Sequence, residues 1–581
     1  MPGADSGDVQ EKQLTADTEK EKNLLPGRRN HAGKLTLPEK KVQEAICVLL
    51  VELCERFTFF GIVCNMILFC TVRLGYRNYQ AAIVNMCFVG TSMLTPVLAG
   101  WLAECLVGRI KLVCVCMFLH FLALLPIVAF PFEDIYIDKR HILLHTLTKK
   151  EQKMVFYFAL LTASLGIGGI RAIVCPLSAY NLENCGPKEL LSFFNWFYWL
   201  INLNSAVVFV SISYIQQSVA RNLGFLLPFV SVLMAMITIH MVRGKMIYKP
   251  KTDSSLLTTF GVIGSALKTC CVRYRYFSGD VSSWLDHAKE YHGGQYSETQ
   301  VESTKSLARL FPFFAFQILY RTCIMQIPSG YYLQTMNSNL NFSGFVLPIA
   351  AMNVISIVPL LILVPILECI NSYLFSSKGS GHPPTMYIVA GQLCAALSVM
   401  VAGFSEIHRK HFPQVEQTLS EEVLLVSSMP CFHLAPQYIL LGVAEALVTP
   451  SCSLLSFWLV PERIRGISMH FLTLFNGAGC FMGAFFVQTA HTGTQGNWFP
   501  HLLHEGKLER FFFFLASLMM VNALGFWTVA HRYSNLNQEY TSEFRGSLSE
   551  EKEVFLKHDK VIEHYGSVLD HSPILSPMEA T

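Results

Sequence analysis

Twelve apolar runs, each about the length that crosses a bilayer, leave this chain few ways to fold. They lie at about 45–70, 82–104, 110–131, 154–176, 191–215 and 223–242, then, after a gap, at about 308–334, 345–370, 384–405, 432–459, 464–490 and 510–531. Hydrocarbon offers backbone groups no water to bond to, so such runs are expected to be helices. Composition agrees: of 581 residues 52% are hydrophobic and 15% charged, far too apolar for a soluble protein of this size. The chain reads as an all-α polytopic membrane protein embedded in lipid bilayer. A net charge of +3 makes no case for nucleic acid. The 18 cysteines, mostly inside apolar runs and without metal-ligand spacing, predict neither a disulfide framework nor a metal site.

The runs and their gaps divide the chain into a polar N-terminal tail (1–44), a six-helix bundle (45–242), a linker (243–307), a second six-helix bundle (308–531) and a polar C-terminal tail (532–581). The first 43 residues hold no charged-then-apolar signal peptide, so the first span is expected to act as anchor. Arg109, Lys111, Arg243, Lys245, Lys249, Lys251, Arg463 and Arg465 all fall on the side of the two termini, which the positive-inside bias makes cytosolic. Lys139, Arg140, Lys149, Lys150 and Lys153 run against it. Asn341-Phe-Ser343 is a glycosylation sequon in the loop after span seven, on the opposite side. Glu21-Lys-Asn-Leu24-Leu25 approximates an acidic dileucine sorting signal, one residue short of the usual spacing, and leaves plasma membrane and endolysosomal membrane both open. Cys270-Cys271 beside Lys268, Arg273 and Arg275 reads either as a palmitoylation pair or as plain loop. The linker is expected to be partly helical and peripheral, without a fold of its own.

Charge inside the spans is the informative exception. In ELCERFTFFG, Glu52, Glu55 and Arg56 stand at i, i+3 and i+4 and share one helix face, continued by Phe59 and Phe60. Each such charge at a helix centre costs about 2.5–3.5 kcal/mol on insertion scales, tolerable only against a partner or a water-filled cavity. Across the apparent mid-membrane positions, Glu52, Glu55 and Glu445 balance Arg56, Arg171 and Arg321. They can form three pairs. Glu445 lies between Pro436 and Pro450, in a span with Gly442 that is expected to be broken, and Pro328-Ser-Gly330 is expected to break span seven beyond Arg321. There is no phosphate-binding glycine loop followed by Lys-Ser/Thr, hence no case for an ATP-driven pump, and no catalytic constellation marks an enzyme.

Twelve spans as six plus six resemble the plan of the major facilitator superfamily, and Gly100-Trp-Leu-Ala-Glu104 with Gly108-Arg109-Ile-Lys111 is similar to its loop between helices 2 and 3. More specifically, Glu52-x-x-Glu55-Arg56-Phe57 resembles the helix 1 signature of the proton-coupled oligopeptide transporters. The stretch Phe194-Asn-Trp-Phe-Tyr198 to Ser205 is similar to their helix 5, and Gln437-Tyr438 to Glu445 to their helix 10. The flavour is that of the peptide/histidine branch of solute carrier family 15, over about residues 45–531. The resemblance implies a proton-coupled symporter of small peptides, and of histidine as an amino-acid substrate, working by alternating access with protons as coupling ion and no other cofactor. Glu52, Glu55 and Arg56 would be the proton-linked cluster, Asn202 a partner of the peptide backbone, and Glu445 the anion for the peptide's amino terminus.

Departures cluster where that pocket should be. Gly168-Gly169-Ile170-Arg171 has arginine where the family carries lysine, a group able to clamp a carboxylate but not to titrate during a cycle. Ser178-Ala-Tyr180-Asn181 replaces the pattern that follows, Phe59 and Phe60 stand for two tyrosines, and Asn204 for a glycine. Arg321 takes the place of an aromatic residue. It is expected either to pair with a carboxylate of the other half or to widen an anion-attracting pocket together with Arg171. Two alternatives therefore stay beside the peptide symporter: a membrane scaffold whose linker or tails recruit a cytosolic adaptor, and a transporter of a different organic anion.

Overall fold

The computed structural model describes residues 37–72, 74–106, 108–129, 149–180, 187–219, 221–242, 255–273, 284–292, 294–378, 384–419, 422–461, 464–500 and 503–530. The chain divides into two units, Met1–Ala45, of which only the helical 37–45 is described, and Ile46–Thr581, which holds everything below. The dileucine-like stretch, the rest of the N-terminal tail up to 36, Asn181, the C-terminal tail and the side chains of Tyr180, Cys270 and Cys271 lie outside the described residues.

The first six spans are α1 (Leu37–Val63) with its short continuation α2 (Met66–Val72), α3 (Asn78–Cys105), α4 (Arg109–Ala129), α5 (Lys149–Tyr180), α6 (Pro187–Tyr214) and α7 (Arg221–Val242). The linker contributes α8 (Ser255–Arg273) and α9 (Glu298–Arg309). The last six are α10 (Phe311–Ile324) with its continuation α11 (Tyr332–Met336), α12 (Asn353–Lys378), α13 (Pro384–Lys410), α14 (Ala435–Trp458), α15 (Arg465–Gly493) and α16 (Leu508–Ala530). Among the described residues, ten helices are long and apolar enough to cross a membrane. The places of the third and sixth expected spans are taken by α4 and α7, whose described apolar stretches, Lys111–Leu124 and Leu226–Met241, are shorter.

Span seven bends as its proline requires. Pro328 has no N–H to continue the helical ladder, and the chain passes from α10 to α11 through a π-helical turn, Ile327–Tyr331, closed by Tyr331 N–H donating to Gln326 O at 2.8 Å. Helix α14, by contrast, is continuous through Pro450, which corrects the expectation of a broken span around Glu445. Close packing holds it: a Cβ on Gly442 would overlap the Ser356 carbonyl oxygen of α12. Gly442→Ala is therefore expected to destabilise by about 3 kcal/mol, since the clash is with backbone that cannot step aside. A melting temperature in detergent unchanged by this substitution would refute that packing.

The two sets of six meet along matching seams, α3 against α15 and α6 against α12, so the second and fifth spans of one set face the fifth and second of the other. Internal repeats related by a two-fold-like axis produce this pairing. At the end away from the linker the seam is hydrogen-bonded. Tyr332 donates to Asn65 Oδ1 at 3.3 Å, Asn85 Nδ2 to Pro328 O at 2.7 Å, and Ile349 N–H to Gln217 Oε1 at 3.1 Å. Tyr79 stacks on His491 with centroids 3.6 Å apart. At the linker end Asn195 Nδ2 donates to Glu368 Oε2 at 2.8 Å and Trp199 Nε1 to Leu361 O at 2.9 Å.

The linker is more organised than its mixed charge suggests. Val262, Ala266, Leu285, Ala288 and Val301 bury one another in a small core of their own. Lys289 Nζ reaches Glu302 at 2.8 Å, Asp286 at 3.0 Å and Glu298 at 3.2 Å, and Lys305 Nζ reaches Asp286 and Glu302 at 2.5 and 2.9 Å. The Glu302 and Asp286 carboxylates push the Lys289 ammonium above its ordinary range, so the network is intact at neutral pH. Phe260 of α8 packs on Phe471 of α15 with centroids 5.9 Å apart.

Candidate functional site

Helix α1 carries its charges on one face, as the spacing predicts, and buries them. Arg56 Nε donates to Glu52 Oε1 at 2.9 Å and lies 3.5 Å from Glu55 Oε2. Glu52 and Glu55 are 0% and 2% exposed, so neither is hydrated from outside the protein. Arg171 of α5 completes the set: its Nε donates to Glu55 Oε1 at 3.1 Å with Nη2 at 3.0 Å from the same oxygen. Gly168 and Gly169 bring it there, because α5 approaches Ser92 and Thr95 of α3 and Cys116 of α4 too closely for side chains at those positions. The Arg171 guanidinium lies 4.2 Å from the centroid of the buried Phe59 ring, so the aromatic that replaces a tyrosine supports the cation through its face. Phe60 instead packs edge-on against Phe209. Two carboxylates and two guanidinia thus form a charge-balanced cluster within the first six helices. Asn204, which stands for a glycine of the resembled helix 5 signature, donates to Leu53 O at 3.0 Å and ties α6 to α1.

A second cluster forms where α6 meets α10 and α14. Arg321 Nη1 stands 4.0 Å from Glu445 Oε1. This corrects the expectation that Arg321 pairs across the halves: its carboxylate belongs to the same set of six helices. Gly479 of α15 lets α10 approach, since a Cβ there would meet Ile318 O and the Arg321 Cβ. Both side chains are enclosed by protein yet keep about a fifth of their surface accessible, 20% and 19%, the signature of groups lining an internal space. Asn202 of α6 donates to its own helix at Tyr198 O, 2.9 Å away, so its amide N–H is engaged within α6. The Tyr198 hydroxyl lies against Asn202 and Thr449, with Glu445 and Arg321 nearby. Tyr320 is 4% exposed and adjoins Glu445 and Tyr198.

The structure therefore separates the expected site residues into two groups, Glu52, Glu55, Arg56, Arg171 and Phe59 in one and Asn202, Arg321 and Glu445 in the other. Tyr198, Tyr320 and Thr449 join the second group although sequence reasoning passed over them. The only trace was polarity within apolar spans, which most such residues lose to helix–helix hydrogen bonds. Also missed is a buried network near the far end of α13. Arg409 donates to Glu406 through Nε at 3.0 Å and Nη2 at 2.6 Å, Gln334 Nε2 donates to Glu406 Oε2 at 3.1 Å, and Gln437 Nε2 to Gln334 Oε1 at 2.8 Å. Asn341 sits in the exposed first strand, β1 (Asn341–Phe342), of a two-stranded hairpin with β2 (Phe345–Val346).

Comparison with known proteins agrees with this architecture. Residues 129–500 match the family model PTR2, the POT family. The chain is 57% identical over 558 residues to human solute carrier family 15 member 5, covering 95% of each chain. It is 23% identical over 558 residues to mouse solute carrier family 15 member 3, covering 86% of this chain and 93% of that one. Among solved structures, the POT family transporter PepTSo superposes with a TM-score of 0.63 at 17% identity, covering 84% of this chain and 98% of that one. An autoinhibited POT family peptide transporter does so with a TM-score of 0.63 at 16% identity, covering 84% and 97%. These neighbours establish the major facilitator fold, and the first two matches the lineage: the chain is a multi-pass membrane transporter of the POT family, within solute carrier family 15.

Proposed function

We propose that the chain is a proton-coupled symporter of small peptides or peptide-sized solutes that works by alternating access, with both termini cytosolic. One observation carries the reading: Glu55, buried between Arg56 and Arg171, joins α1 to α5 through an ion contact that a single proton would dissolve. Protonating Glu55 releases Arg171 and loosens α5 from α1, which lets a proton shift the balance between two arrangements of the halves. Glu52 and Arg56 hold the rest of the cluster neutral while this happens. On the substrate side, Tyr198 from one half, with Asn202 beside it, faces Glu445 and Arg321 from the other, so a solute held between them senses both halves at once. Released from Glu55, Arg171 becomes free to meet a substrate carboxylate bidentately over the Phe59 ring, and Phe60 adds apolar wall. Relatives bear on the solute's size: one POT family transporter of the same fold was solved with 5-aminolevulinic acid and another with alafosfalin.

The test is uptake of labelled dipeptide and of histidine into proteoliposomes carrying the purified protein and an inside-negative potential. Accumulation is expected to require an inward proton gradient and to vanish in Glu55→Gln. Uptake indifferent to the gradient would remove proton coupling from the reading. The orientation has its own check: Asn341 at the hairpin is expected to be glycosylated in cells, so glycosidase should increase the mobility of the wild type and not of Asn341→Gln. Equal mobility before and after treatment of the wild type would withdraw support for an outward-facing hairpin.

A further inference from the structure

On one face of α10, three side-chain donors find no acceptor among the described residues: Gln317 Nε2, the Tyr320 hydroxyl and Arg321 Nε, at i, i+3 and i+4, the Arg321 guanidinium being hydrogen-bonded otherwise to Cys480 of α15. Gln317 and Tyr320 are 1% and 4% exposed, so leaving their polar atoms unbonded is costly unless something arrives to take them. Tyr320 adjoins Glu445, Tyr198 and Arg321, which puts that demand inside the site between the halves. The Glu445 carboxylate does not meet it. At 4.0 Å it balances the Arg321 charge without a hydrogen bond, well beyond the usual length of a charge-assisted contact.

This arrangement works against an ammonium. A substrate amine reaching for Glu445 finds that charge already balanced and meets the Arg321 guanidinium beside it. An anion finds the reverse: a fixed cation and neighbouring donors whose partners are missing. We infer that, in the transporter proposed above, this site receives an organic carboxylate whose amine is absent or blocked, such as an N-acylated peptide, held by Arg321, Tyr320 and Gln317. A proton taken up by the Glu445 carboxylate converts it to the neutral acid and frees Arg321 for the incoming anion, so proton and anion enter the site together with no net change of charge. The groups acting on Glu445 and on the two α10 residues beside it are Arg321 and Tyr320 themselves, Tyr198 of α6, Cys452 of α14 and Cys480 of α15. Helices α12 and α13, also packed on α14, meet it here through Leu360, Val364 and Gly391. Arg321 is thus the cation whose balance changes with the state of Glu445. The inference rests on the transporter reading, but it concerns which end of a solute this site grips.

The experiment is ligand protection of the purified full-length protein against thermal unfolding, with N-acetyl-dialanine, carrying only the carboxylate, and dialanine amide, carrying only the amine. The acetylated probe is expected to bind at least about tenfold more tightly than the amide. Its affinity should rise as the pH is lowered from neutral to about 5, where the probe's own carboxylate is still ionised. Glu445→Gln, which imitates the protonated acid, should keep acetyl-probe binding and remove its pH dependence. Adding Arg321→Gln to Glu445→Gln leaves no unpaired buried charge, so the double variant should fold yet lose the acetyl probe by about tenfold or more. The amide binding as well as the acetylated probe, or the double variant retaining acetyl-probe affinity, would overturn the inference and leave the transporter reading standing. Binding of neither probe would also overturn it, and gradient-driven uptake of unmodified dipeptide or histidine would then show that transport itself survives.

Discussion

Arg171→Gln is expected to lower the melting temperature of the purified protein sharply and to abolish gradient-driven uptake, while Arg171→Gln combined with Glu55→Gln should recover most of the stability and none of the coupling. The physical reason is the position of Glu55. It is 2% exposed and takes its close ionic contacts from Arg171 at 3.0 Å and Arg56 at 3.5 Å. Removing one partner of a buried pair costs about 3–5 kcal/mol because the remaining charge is stranded where water cannot reach it. Neutralising both members removes that penalty. Arg171→Lys separates charge from geometry: a lysine keeps the cation but cannot reproduce the Nε hydrogen bond to Glu55 with a planar group lying over the Phe59 ring. Intermediate stability is expected for it. If the single Arg171→Gln variant melted like the wild type, the ion contact would not be holding α5 to α1, and the route by which a proton loosens it would fail.

Arg409→Met is expected to cost about as much, 3–5 kcal/mol, by the same rule applied at the other end of the molecule. Glu406 and Arg409 are 0% and 1% exposed. Besides binding Glu406 twice, Arg409 donates from Nη1 to Asn337 O at 3.3 Å, an oxygen that also accepts from the Ser427 N–H at 2.9 Å. The pair thereby joins α13 to the turn after α11 and to the strand Glu422–Ser427 of the second hairpin. Losing the arginine strands Glu406 together with Gln334, which bonds it, and the loss should extend to the hairpin. The double change Glu406→Gln with Arg409→Met should recover stability. Proteolysis within the hairpin, between 414 and 427, is the local readout: faster cutting in the single variant than in the wild type is expected, and equal rates would mean that the pair does not brace it.

Fold class was legible because membrane spans advertise themselves. A run of apolar residues long enough for the bilayer has one economical backbone solution, and twelve such runs in two series left little else. The limits of the runs were less legible. Span eight was expected to begin at 345, yet 341–346 forms the first hairpin and α12 starts at Asn353, and span nine was expected to end at 405, just short of Glu406 and Arg409. Hydropathy ends where charge begins, while a helix ends where its hydrogen bonds do. That is why the buried Glu406–Arg409 pair passed for loop. Pro328 told the truth about a bend and Pro436 and Pro450 did not, because a proline near a helix start, or one whose lost bond is absorbed by packing, need not break anything.

The candidate site divides the same way. Residues three and four apart on α1 had to share a face, so the grouping of Glu52, Glu55 and Arg56 was determined by sequence alone. That Arg171 completes it, 116 positions from Glu55 along the chain, was decided by the tertiary structure, through Gly168 and Gly169 and the close approach they permit. Counting three anions against three cations was likewise correct as arithmetic and silent about partners. Arg321 could have reached a carboxylate in either half, and the close approach of α10 to α15 at Gly479 placed it beside Glu445 in its own. Sequence determines which charges must be compensated, because the cost of burying each is local. Helix packing alone selects the compensating partner, because that depends on distances no spacing along the chain can encode.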